Sequence, residues 1–174
     1  KPLPDRDAVE GYNIGGSVET VDTSKRNDNE VRLVTHLVSE LQADLPLDEI
    51  GVITPYTAQA NAIRAQLRDT LADGHKVTVD TVDSFQGSER TGIIFSLVRS
   101  NDSGHLGFLG RDPDGPRRLN VALTRAQRYL AVVGDFHTLR YEHPDKTPDV
   151  HEDLFNFFDS TGRLNHVDPD FIPV

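Results

Sequence analysis

Three arginines within twelve residues frame the chemistry this chain could do. The stretch PRRLNVALTRAQ, 116–127, sets Arg117 and Arg118 side by side and places Arg125 seven residues after Arg118, around the apolar Leu119, Val121, Ala122 and Leu123. Read as a helix, Arg118, Ala122 and Arg125 follow at steps of four and three and share one face. A guanidinium stays charged at any working pH and grips phosphate through two parallel N–H donors. Held beside a transferring γ-phosphoryl group, it stabilises the developing charge as an arginine finger. A solvated basic face would explain the same spacing.

Two other clusters offer complementary groups. In VDSFQGSER, 82–90, Gly87 can take positive φ or admit a close approach to the backbone, Gln86 both donates and accepts, and Glu89 adds a carboxylate. Such a loop could hold a sugar hydroxyl or a phosphate-bound water, although glycine and acids are also ordinary in turns. In GVITPYTAQ, 51–59, Thr54, Tyr56, Thr57 and Gln59 gather where a strand passes into a helix. A helix N-terminus presents N–H donors to phosphate. The same residues also read as a cap, with Thr54 at the N-cap and Pro55 at the first helical position.

The absences narrow the choice. No G-x-x-x-x-G-K-[ST] phosphate loop and no Walker B acid run occur in the chain. A nucleotide site here is therefore half of one, and a partner domain must bring the rest. There is no cysteine, which excludes a disulfide framework and a thiolate zinc site. The seven histidines stand at no metal spacing and read as surface residues, so no metal site is expected. No nucleophile–base set lies in one cluster, which argues against a stand-alone nucleotide-modifying enzyme.

The elements that must position these groups alternate. Residues 1–17, with two Pro and three Gly, read as a connector. SVETVD (17–22) reads as a strand and TSKRND (23–28) as a polar turn. Helical periodicity covers 29–42, and IGVIT (50–54) is a buried strand. A helix follows over 58–71, then strands at 76–82 and 91–100, a helix over RRLNVALTRA, a strand at 129–135 and a helix at 152–160. The order predicts an α/β fold, a mostly parallel sheet flanked by helices on both faces, with polar clusters beyond the carboxyl ends of the strands. Residues 161–174 read as a C-terminal tail.

With 174 residues the chain is long enough to bury one core. Its net charge is −10, built from 20 Asp, 8 Glu, 14 Arg and only 4 Lys. This acidic, lysine-poor surface suggests a cytoplasmic protein of a high-salt cell such as a halophilic archaeon, where screening lengths shrink to a few Å; an ordinary acidic cytosolic protein has the same signature. Acidity opposes a nucleic-acid partner unless the basic groups are concentrated in one cleft. No run reaches the ~20 apolar residues of a membrane span, and no signal-peptide pattern is visible.

Taken in order, VITPYTAQ, VDTVDSFQGSE, SLVRSN, GFLG and RRLNVALTRAQ resemble the second (C-terminal) RecA-like domain of a superfamily-1B helicase of the Upframeshift/DNA2-like (NAM7-like) branch. VDTSKRNDNEV adds the family's Asn-x-x-Glu helix start at Asn27 and Glu30. The likeness covers about residues 18–140, within an expected domain of 18–160. It implies ATP held between two RecA-like domains of one polypeptide, with the phosphate loop and the Mg²⁺ ligands on the first. It implies catalytic roles for Arg125 toward the γ-phosphate, for Glu89, and for Arg118, which with Asn120 braces that motif. Gln86, Gly87, Glu89 and Arg125 would bind ATP. Thr54, Pro55, Tyr56, Thr81, Ser84 and Arg99 would contact the backbone of single-stranded DNA or RNA, with Asn101 joining or linking that surface, and movement would run 5′→3′. The family's Gln-Tyr-Arg-Met-His-Pro-like segment is missing, as if the chain were cut just after it; such a fragment is expected to be inactive alone. The alternative is a non-enzymatic docking module for nucleic acid or protein.

Overall fold

The computed structural model describes residues 8–85, 88–110, 114–140 and 150–173. Six strands form an all-parallel sheet in the order β5–β4–β6–β7–β1–β8. They are β1 (Ala8–Asn13), β4 (Ile50–Thr54), β5 (Thr78–Thr81), β6 (Arg90–Ser96), β7 (Ala126–Gly134) and β8 (Leu164–His166). A hairpin of β2 (Val18–Val21) and β3 (Ser24–Asn27) stands apart from it. The helices are α1 (Asp28–Leu41), α2 (Thr57–Thr70), α3 (Gly115–Leu123), α4 (Phe136–Arg140) and α5 (Val150–Ser160). This is the α/β arrangement that the alternation predicts, and the RecA-like one that the resemblance implies.

The central strands IGVIT, RTGIIFS and AQRYLAVVG are nearly continuous apolar runs because helices cover both of their faces. Alternate residues serve opposite cores. Val52, Ile94 and Ala131 pack under α1 and α2 with Val34, Val38, Ile63 and Leu67. Ile53, Ile93, Phe95, Leu130 and Val132 pack under α3, α4 and α5 with Leu119, Phe136 and Phe158. Each such side chain contributes about 1.5–3 kcal/mol on burial.

Several elements depart from expectation. Residues 8–13, expected within a connector, form β1, hydrogen-bonded between β7 and β8. Gly11 read as a loop residue, yet it is there for packing: a Cβ on it would meet Phe158 Cγ of α5 at 2.9 Å. The expected tail supplies β8, and Ile172 packs into the core beneath α1. The expected polar turn at 23–28 is largely β3. His151 is buried rather than on the surface.

Candidate nucleotide and nucleic-acid site

At the carboxyl edge of the sheet, the ends of β4 and β5 and the start of α3 enclose a cleft of about 250 Å³ lined by Pro55, Tyr56, Thr57, Thr81, Asp83, Phe108 and Arg118, with Thr23 and Ser24 of the hairpin. Pro55 and Thr81 are half-exposed, and Ser84 is exposed, its Oγ at 3.1 Å from Thr81 Oγ1. Thr54 is not on this surface. Its side chain is fully buried, and its carbonyl accepts from Val82 N at 3.1 Å. Nor does it cap α2, which starts at Thr57 after Tyr56; Pro55 thus precedes the helix. Tyr56 is also buried, its ring edge-on to Phe108 at 5.5 Å. Both residues therefore support the cleft from beneath.

Arg99 is placed by a buried polar network. Asn27 caps α1, its Oδ1 accepting from Glu30 N at 3.4 Å, and Glu30 is buried in the first turn. Glu30 Oε2 accepts from Ser96 Oγ at 2.6 Å and from Val98 N at 2.9 Å. Asn27 Nδ2 donates to Val98 O at 3.2 Å. Gln59, one of the residues gathered where the strand passes into the helix, lies inside this network: its Oε1 accepts from Asn27 N at 2.8 Å and its Nε2 donates to Ser96 Oγ at 3.0 Å. Burial pushes the Glu30 carboxyl up to about 8, against the opposing pull of its Ser96 and Val98 hydrogen bonds. Val98 sits at φ +73°, where a β-branched residue is strained. One residue on, Arg99 Nε donates to the Tyr56 hydroxyl at 2.9 Å. Asn101 turns away from the cleft, its N–H donating to Thr138 Oγ1 at 2.9 Å and its side chain holding the 101–105 turn.

The arginines of 116–127 do not share one face. α3 ends at Leu123, where the Thr124 hydroxyl donates back to Asn120 O at 2.9 Å, and Arg125 stands between that helix and β7. Arg118 lies at the carboxyl edge, its guanidinium 5.4 Å from the Phe108 ring centroid and its Nε 3.6 Å from Asp83. Arg125 lies at the amino edge, its carbonyl accepting from Arg90 N at 3.2 Å. Glu89 is exposed at the same edge, with Gln127 Nε2 at 3.5 Å from its Oε2. Arg125 Nε is buried without an acceptor, and among the described residues no carboxylate pairs with this guanidinium. A buried cationic donor lacking a protein partner suits an anion. Gln86 and Gly87 lie outside the described residues.

The chain path ties the two edges together. From the carboxyl end of β5, residues 82–85 turn onto one sheet face, with Phe85 buried in that face's core, and residues 88–89 lead into β6 at the amino edge. α3 descends the same face with Leu119 and Ala122 in the same core. The polar cluster expected wholly beyond the strand ends is thus split, with Thr81 and Ser84 at one edge and Glu89 at the other. Among the described residues no group of three His, Asp or Glu is placed to hold a metal, and no helix is long and apolar enough to cross a membrane.

A parallel sheet covered by helices on both faces is a RecA-like α/β arrangement. Comparison with known proteins agrees: a family model described as an AAA domain (AAA_12) matches residues 7–137. Over 119 residues the chain is 44% identical to DNA polymerase alpha-associated DNA helicase A of Schizosaccharomyces pombe, covering 68% of this chain and 17% of that protein. It is 43% identical over 118 residues to DNA-binding protein SMUBP-2 of Rattus norvegicus (67% and 11%), and 36% identical over 140 residues to a Regulator of nonsense transcripts 1 homolog of Neurospora crassa (77% and 12%). The chain belongs to the AAA_12 family and, with these relatives, to the superfamily-1B helicases of the NAM7-like branch. It spans less than a fifth of the length of those relatives.

Proposed function

We propose that this chain is the second, C-terminal RecA-like motor domain of an ATP-dependent helicase that moves 5′→3′ on single-stranded DNA or RNA. The observation that carries the reading is Arg125, its guanidinium Nε buried without a partner among the described residues, at the same sheet edge as Glu89 and joined through α3 to the cleft at the other edge. Arg125 stabilises charge on the terminal phosphate of the substrate ATP, and Glu89, with Gln86 and Gly87, faces the ribose and phosphate side of that nucleotide. Pro55, Thr81, Ser84 and Arg99 meet the strand's sugar–phosphate backbone, with Thr54 and Tyr56 shaping the surface from below. Such contacts position a strand without reading its sequence. Arg118 serves the cleft rather than the phosphate.

Among the described residues no acidic cluster fits Mg²⁺; on this reading its ligands, like the phosphate loop, belong to the first RecA-like domain of the same polypeptide. The relatives' names, two with "DNA" and one with "nonsense transcripts", support a nucleic-acid track while leaving both polymers in play. The acidic, lysine-poor composition remains the support for a high-salt cytoplasm. Closure of the two lobes on ATP pulls 82–89 and α3 together, and the grip at the cleft changes. The full-length protein should hydrolyse ATP faster as single-stranded DNA or RNA is titrated in, and the steeper titration identifies the track; no stimulation by either overturns the reading. The docking-module alternative draws on the missing phosphate loop. A phosphate loop and Walker B acids encoded upstream of Lys1 would exclude it.

A further inference from the structure

We propose that Phe108 is a stacking platform for one nucleobase of the strand held in the carboxyl-edge cleft; this rests on the nucleic-acid reading above. Phe108 is 50% exposed, although the Arg118 guanidinium lies over its ring and Tyr56 meets it edge-on. An aromatic ring left open to water at the mouth of a polar cleft is a surface that a flat π-face can cover.

The ring is fixed before any ligand arrives. Leu109 beside it is buried in the core. Gly107 on its other side is left-handed at φ +58°, and a Cβ there would collide with the Tyr56 hydroxyl and lie 2.7 Å from Arg99 Nε. Arg118 Nη1 donates to the Phe108 carbonyl at 3.3 Å. The turn carrying Phe108 is therefore seated on the Tyr56–Arg99 pair and tied to α3, so little ordering is lost when a base docks.

The cleft's chemistry selects a base over a bare phosphate. Its charged lining groups are Arg118 and Asp83, which face each other at 3.6 Å, and the remainder are hydroxyls, a proline, a valine and aromatic surface. A near-neutral, amphipathic lining suits a neutral flat ring with polar edges. The volume, about 250 Å³, lies below the ~300–1,000 Å³ of sites that engulf whole small molecules, which fits one base from a strand whose backbone runs outside.

The test is binding of the full-length protein, without nucleotide, to a single-stranded oligothymidylate and to an abasic oligomer of equal length. Phe108→Leu keeps the apolar packing and removes the π-face. It should weaken oligothymidylate binding about 5- to 150-fold and leave abasic binding within about twofold, with Phe108→Trp restoring affinity. Unchanged oligothymidylate binding overturns the proposal. So does an equal loss on both oligomers, or a loss of ATP turnover with binding intact, which would assign the ring to domain contact. If the unaltered protein binds neither oligomer, the nucleic-acid reading itself fails.

Discussion

Glu30 holds Val98 in a left-handed conformation: its Oε2 accepts the Val98 backbone N–H at 2.9 Å, and the valine sits at φ +73°. Arg99 follows immediately and reaches the Tyr56 hydroxyl. A carboxyl group at the start of α1 thus sets the direction of a guanidinium just beyond the end of β6. Replacing Glu30 by Ala leaves the Ser96 hydroxyl and the Val98 N–H without this acceptor, at about 1–3 kcal/mol for each orphaned group. Thermal melts should show a lower Tm, and single-strand affinity of the full-length protein should fall with it. A lower Tm with affinity unchanged would show that Glu30 supports the fold without aiming Arg99.

The same carboxyl gives stability a pH dependence. Its folded-state value, raised to about 8 by burial, lies above the 4.5 of an unperturbed glutamate, so the folded state binds the extra proton between those limits. Stability from this group is therefore fully present below about pH 4.5 and declines as pH rises toward 8. Melts of the unaltered protein and Glu30→Gln across that window should show the unaltered protein losing ground to the variant as pH increases. A constant difference would contradict the raised value.

Gly107→Ala tests the seat of the Phe108 turn. The substitution places a Cβ against the Tyr56 hydroxyl in a left-handed conformation, itself about 1–2 kcal/mol unfavourable for an L-residue. Tm should drop by several degrees and single-strand binding should weaken, because Tyr56 and Arg99 must shift. Unchanged melting and binding would mean the turn adapts freely.

Much of this fold was legible because helices cover both sheet faces: β4, β6 and β7 read as apolar runs, and α1 and α2 as periodic stripes. β1 was hidden by Gly11, whose role in admitting Phe158 is indistinguishable in sequence from a loop glycine. The end of α3 was hidden because LTRAQ contains no Gly or Pro, so helical spacing carried Arg125 onto a face that it leaves. The helix ends instead through the Thr124 hydroxyl bonding back to Asn120 O and the start of β7 at Ala126, which only the folded sheet supplies. Thr54 and Tyr56 stand at the carboxyl end of β4, but residue type cannot show that a hydroxyl beyond a strand lies under the surface. Phe108 lies in the GFLG motif, and only its exposure and the Arg118 guanidinium over its ring, both tertiary features, distinguish it from a core aromatic.

Glu89→Ala should reduce the stimulation of ATP turnover by single strands, since Glu89 ends the segment that begins at Thr81 in the cleft. Comparing basal with strand-stimulated rates checks this. Unchanged stimulation would separate Glu89 from coupling.

The most direct measurement is ATP turnover by the full-length protein carrying Arg125→Ala, with single-strand affinity measured in parallel without nucleotide. An arginine finger is worth about 10³–10⁵ in turnover, so the rate should fall by roughly a thousandfold or more, with binding little changed. Turnover persisting within a few-fold of the unaltered protein would contradict the assignment of Arg125 to the terminal phosphate.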